Sequence, residues 1–107
     1  MSQTLTVTHN QVRNYSVGRF IDTGTVAATK IKTGFRPRYV RVVNVTSRDE
    51  MEYFEGMADA SGLKTVAAGT RTLATTNGIT VHEDGFTIGL DADVLVSDEQ
   101  ISFIAVG

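Results

Sequence analysis

A small all-β domain is the fold this sequence predicts: a sandwich, or a jelly-roll-like barrel, of short antiparallel strands. Three observations predict it. Fifteen Thr and thirteen Val dominate a chain with one Pro, and these β-branched residues are stiff in helices but pack well on a pleated surface. Turn signals, many of them built on Gly, recur about every 8–12 residues, as in sandwiches and small barrels. The stretch 34–48, GFRPRYVRVVNVTSR, is almost continuous in β-formers after its opening turn. Tyr39, Arg41, Val43 and Val45 share one face of that strand, and Val40, Val42, Asn44 and Thr46 the other. Both faces are mainly apolar beyond the first turn, so the strand is expected at the centre and covered on both sides. With 107 residues and 41% hydrophobic content, the chain holds one core and reads as a single domain, 1–107.

Each element follows from local pattern. Residues 5–9 (LTVTH) alternate apolar and polar, the mark of an edge strand or an extended arm, and residues 10–14 are turn-like. Residues 15–21 form a strand closed by Asp22, Thr23 and Gly24, and residues 26–32 form another. After the central strand, residues 47–50 are read as a charged turn and 51–55 as a returning strand. Residues 56–62 are a loop, followed by short strands at 63–67 and 70–75 around Ala68 and Gly69. Asn77-Gly78 is the strongest hairpin signal, since both residues tolerate positive φ. A second hairpin joins 79–82 to 86–89 about Glu83, Asp84 and Gly85. Residues 91–100 compete between a loop and a helical turn before the apolar terminal strand 101–106, which is expected in the core. The tetrapeptide TVAA occurs at 25–28 and 65–68, a match that a Thr/Ala/Val-rich composition produces by chance.

The net charge of −2 conceals a split. Residues 1–48 carry eight basic side chains and one acid, while residues 49–107 carry two and eleven. Such polarity makes either a basic surface for an acidic partner or complementary ends on successive copies, unless strands from the two halves interleave and mix the charges. No run approaches the roughly 18 apolar residues of a membrane span, and the first ten residues lack a secretion signal. Without that signal, the acceptor triplets at Asn14 and Asn44 carry no glycosylation reading. The expectation is a soluble protein made in the cytoplasm.

Site chemistry is sparse. The absence of Cys removes disulfides, thiol catalysis and zinc–thiolate ligation. His9 and His82 are far apart and lack partners at ligand spacing. Asp91, Asp93, Asp98 and Glu99 offer oxygen ligands, but without the third ligand and central Gly of a calcium loop they read as a solvated acidic turn. Glu83 and Asp84 suit a hairpin tip, and the Glu52/Glu55 and Asp49/Glu50 pairs have no Trp platform for a sugar beside them. No nucleophile elbow, phosphate loop or dinucleotide fingerprint occurs, so the chain is read as a non-enzyme without metal or cofactor. Lys30, Lys32, Arg36, Arg38 and Arg41 interleave with Phe35 and Tyr39 as in single-strand nucleic-acid sheets, yet the sequence pI of about 5.6 is acidic. Arg36, Arg38, Tyr39 and Arg41 are therefore taken as protein-interface candidates.

From residue 34 the wording resembles a family. The runs 34–42 (GFRPRYVRV), 53–58 (YFEGMA), 63–73 (LKTVAAGTRTL), 77–81 (NGITV), 84–89 (DGFTIG) and 101–105 (ISFIA) resemble small virion proteins of tailed bacteriophages. The likeness spans 34–107. It implies a structural protein of the virus particle, most of all a head decoration or cement protein that binds major capsid protein and stabilises the assembled head. Such proteins are β-rich and commonly homotrimers on the capsid surface, where they need neither nucleic acid nor membrane. Related sequence at fibre tips implies the alternative of a tail module binding host-surface receptors. Residues 2–17 are then read as an extended arm gripping capsid or neighbour.

Overall fold

The structure, a computed structural model, describes residues 14–107. Those residues form one antiparallel sheet of eight strands and no helix. The strands are β1 (Tyr15–Ile21), β2 (Thr29–Lys32), β3 (Tyr39–Asn44), β4 (Asp49–Phe54), β5 (Ser61–Thr65), β6 (Arg71–His82), β7 (Gly85–Ile88) and β8 (Gln100–Val106). Their order across the sheet is β1-β8-β3-β4-β5-β6-β7-β2, and the sheet curls into a half-barrel. The curl brings distant strands together: the rings of Phe103 in β8 and Phe86 in β7 meet edge to face at 5.6 Å, although four strands separate β8 from β7 in the sheet.

β3 is central, between β8 and β4, as the Val-rich stretch predicts. It is covered on one face, not two. Val40, Val42 and Asn44 are fully buried on the concave side, whereas Arg41 is exposed on the other. Alternation decides this, because successive side chains point to opposite faces and only one face meets the core. The concave core is completed by Met51 and Tyr53 of β4, Ile79 and Val81 of β6, Phe86 and Ile88 of β7, and Ile101 and Ala105 of β8.

The open mouth of the half-barrel is closed by the segment 90–97. Its Val94 and Leu95 are buried, and its single helical turn is fixed by the Leu95 amide donating to the Asp91 carbonyl at 2.9 Å. Asp91 Oδ1 also accepts from the amides of Asp93 and Val94 at 2.9 and 3.2 Å. The competition between loop and helical turn ends in one turn.

Three local expectations are corrected. Asn77-Gly78 makes no hairpin but lies inside β6, with Asn77 at φ 56°. The register jumps there from Ser61↔Ile79 to Gly62↔Ala74, leaving residues 75–78 extra. The positive-φ tolerance is used for a bulge where β6 turns from β5 toward β7. Secondly, the turn between β3 and β4 is 45–48, with Arg48 at φ 68°, so Asp49 and Glu50 belong to β4. Asp49 is drawn into the strand because its Oδ1 accepts from the Ala67 amide at 2.8 Å. Thirdly, only Thr29–Lys32 of the stretch 26–32 is strand, and Val26 packs against the core from the connection. The arm and the strand expected at 2–17 and 5–9 lie outside the described residues, except that residues 15–17 are in β1.

Candidate functional site

The convex face of the sheet holds the candidate residues. Registers across the sheet place Tyr15, Val106, Tyr39 and Phe54 side by side in one row. The next row is Val17, Ile104, Arg41, Glu52, Leu63 and Leu73, and a third runs Arg19, Ser102, Val43, Glu50, Thr65 and Arg71. Five large apolar side chains on this face are strongly exposed: Tyr15, Val17, Ile21, Phe54 and Leu73. Three of them alternate with partly buried residues along β1, whose sequence YSVGRFI puts Tyr15, Val17 and Ile21 on one side. That alternation was the signal in the sequence for a second apolar face.

Charges on this face are paired across strands. Tyr39 donates from Oη to Glu52 Oε2 at 2.7 Å, and Arg71 Nη2 reaches Glu52 Oε1 at 2.8 Å. Arg41 Nε donates to Glu50 Oε2 at 3.1 Å. The Tyr39 ring lies tilted against Phe54, centroids 5.2 Å apart. Burial, and then the hydrogen bond to the Glu52 carboxylate, push the Tyr39 phenol up to about 12. The bond to Glu50 likewise holds the Arg41 guanidinium above its ordinary value.

The other two candidates stand in the lead-in to β3. Arg38 Nε lies 3.6 Å from Glu55, and Arg36 Nη1 lies 3.3 Å from Glu83 at the β6–β7 turn. The structure thus sets Tyr39 and Arg41 beside the acids of β4, Arg38 beside Glu55 just after it, and sends Arg36 to a hairpin tip. Lys30 pairs with Asp84 at that same tip, 3.5 Å away. The basic first half and the acidic second half interleave in space, which neutralises the charge split. Exposed pairs of this kind contribute about 0–1 kcal/mol each, so their main effect is on surface potential, not stability.

Other polar side chains are engaged as well. Lys64 Nζ sits 3.0 Å from Asp91 Oδ1 and 2.6 Å from Asp93 Oδ2. Burial pulls the Lys64 ammonium down, but the hydrogen bonds and charges of the two Asp residues outweigh it and hold the group above the usual lysine range. Glu99 Oε1 accepts from Asn44 Nδ2 at 2.8 Å. His82 Nε2 is hydrogen-bonded to Thr87 Oγ1 at 2.8 Å, across the β6–β7 hairpin. Among the described residues, no three His, Cys, Asp or Glu side chains are grouped to hold a metal. What the convex face offers chemically is contact area: aromatic and aliphatic side chains among paired charges.

No protein-family model, curated protein or solved structure matches this chain.

Proposed function

We propose that the chain is a structural protein of a bacteriophage particle, a decoration or cement protein that binds the assembled head and stabilises it. The observation that carries the reading is the convex face, where Tyr15, Val17, Ile21, Phe54 and Leu73 are exposed beside Tyr39 and Arg41. Aromatic residues and Arg are enriched where proteins meet, and an exposed apolar patch framed by polar groups suits a partner surface. The likeness of residues 34–107 to small virion proteins of tailed phages supplies the partner, major capsid protein. Copies associate on the lattice, as trimers in the assembly that the likeness implies, and Arg36, Arg38, Tyr39 and Arg41 contact capsid. In this reading the chain performs no catalysis and takes no cofactor, nucleic acid or membrane, and it resides on the capsid surface.

The test is sedimentation of the purified protein with assembled, expanded shells of the phage that encodes it, and separately with unassembled capsid subunits. Saturable binding to shells is the expected result; no binding to shells at any concentration would overturn the reading. Arg→Gln changes at positions 36, 38 and 41 serve better than reversals, which would set Glu against Glu50, Glu55 and Glu83. They are expected to lower occupancy at moderate salt more than at high salt, because screening acts within about 10 Å at 0.1 M.

A further inference from the structure

We propose that the outer edge of β1 pairs with the β1 edge of a second copy, antiparallel and about a twofold axis through Gly18. One sheet then runs unbroken through two chains. The inference rests on strand geometry and stands apart from the capsid reading.

Backbone parity sets it. The Gly107 amide donates to the Asn14 carbonyl at 2.9 Å, and these two residues are opposite one another one step beyond Tyr15↔Val106. Hydrogen-bonded pairs alternate along an antiparallel ladder, so the backbone groups of Ser16, Gly18 and Phe20 face β8. Those of Tyr15, Val17, Arg19 and Ile21 face away from the sheet. On the other side of β8, the Val45 amide donating to the Gln100 carbonyl at 3.0 Å fits the same parity. Among the described residues no strand lies beside β1 on that edge.

The two edges of the sheet are built differently. β2 has four residues, and its outward backbone groups belong to Lys30 and Lys32, since the Thr33 amide bonds inward to the Asp84 carbonyl at 2.9 Å. A short edge bearing lysines is a protected edge. β1 has seven residues, one charge, and Tyr15, Val17 and Ile21 exposed at 70%, 67% and 55%. It carries none of those protections.

Charge selects the partner strand. A β1 edge laid on the β2 edge of a neighbour sets Arg19 against Lys30 and Lys32, and like charges on facing strands are unfavourable. Self-pairing avoids this, and one such register overlaps the whole strand. Centred on Gly18, it places Tyr15 opposite Ile21 of the second copy and Val17 opposite Arg19 of the second copy. All of β1 overlaps, and its outward groups make about eight bonds, two per hydrogen-bonded pair. A shift that centres the pairing on Arg19 would oppose the two guanidinium groups. Gly18 at the axis brings no side chain of its own, and the space that a Cβ would take is filled by the Phe103 ring, whose Cζ would lie 2.6 Å away.

The test uses the full chain. Light scattering of the free protein should give a dimer, an assembly separate from the trimers that the phage likeness implies on the lattice. Amide exchange should be slowed at least about tenfold at Tyr15, Val17, Arg19 and Ile21 relative to a Val17→Lys variant. Val17→Pro removes one outward N–H and none of the bonds to β8, so it should remain folded and run as a monomer. Should Val17→Pro fail to fold, Val17→Lys reads the same edge. A monomer at every concentration would overturn the proposal, whether or not the edge amides are protected within it. So would an oligomer indifferent to both variants, or a dimer or trimer whose outward β1 amides exchange fast. A β1 dimer that never binds a shell would leave this proposal standing and remove the capsid one.

Discussion

The side-chain amide of Asn44 donates to the Val94 carbonyl at 3.0 Å, tying the centre of the sheet to the segment that closes its concave side. The same side chain accepts from the amides of Thr46 and Ser47 at 3.0 and 2.9 Å and donates to Glu99. A fully buried Asn in the last position of the central strand is therefore satisfied on every side. Truncation to Ala would strand the buried Val94 carbonyl, at about 1–3 kcal/mol, and free two turn amides that lie nearer solvent. Asn44→Ala is expected to lower stability by about 3 kcal/mol in denaturant unfolding, and an unchanged midpoint would mean that the 90–97 segment is held by Lys64 and apolar contact alone.

Gly78 is predicted to be irreplaceable where Asn77 is not. A Cβ at Gly78 would lie 2.5 Å from the backbone of Ser61, with no flexible side chain to move aside. Gly78→Ala should destabilise by about 2 kcal/mol or more, while Asn77→Gly, at φ 56°, should change stability by a few tenths. Thermal unfolding of the two variants side by side separates them.

That bulge also marks how far the sequence could be read. Asn-Gly announces positive φ, and the structure has it at Asn77; what the dipeptide does not carry is whether the chain reverses or bulges. The choice is made by residues 60–61 and Gly89, which approach the bulge from either side; the Gly78 amide donates to the Ala60 carbonyl, and the Gly89 amide donates to the Gly78 carbonyl. The all-β class, the centrality of β3 and the β6–β7 hairpin followed from composition and alternation. The one-sided burial of β3 did not, because Val43 and Val45 are apolar whether or not anything covers them. Of the candidate site, Tyr39 and Arg41 were legible from the interleaving of cation and aromatic. Their pairing with Glu52 and Glu50 depends on the β3–β4 register, which a turn misplaced by two residues shifts out of phase.

Tyr39 should titrate alkaline. Its phenol is raised from an ordinary value of about 10 to about 12, first by burial and then by Glu52. For a raised folded-state value, the stabilising contribution is whole below about pH 10 and is lost as pH climbs through about 12. Ultraviolet titration should show Tyr53, raised chiefly by burial, and Tyr39 both ionising late, with the Tyr39 step absent in Tyr39→Phe. In Glu52→Gln the Tyr39 step should come earlier yet still above free tyrosine, since burial is the larger cause. A normal value in Glu52→Gln would assign the shift to the carboxylate.

The two rings that close the half-barrel should differ in cost. Phe86 is fully buried, and Phe86→Ala should lose about 3–5 kcal/mol. Phe103 is only partly buried over Gly18, so Phe103→Ala should lose about 2 kcal/mol, less than a core position for the whole terminal strand would require. Equal losses would place Phe103 in the core.

If the chain is the head protein proposed above, heads and tails purified from the phage that carries its gene, separated and analysed for protein content, test that claim most directly. The chain is then expected on heads, in a fixed ratio to major capsid protein and absent from tails. Its presence on tails alone, or on neither, would contradict it.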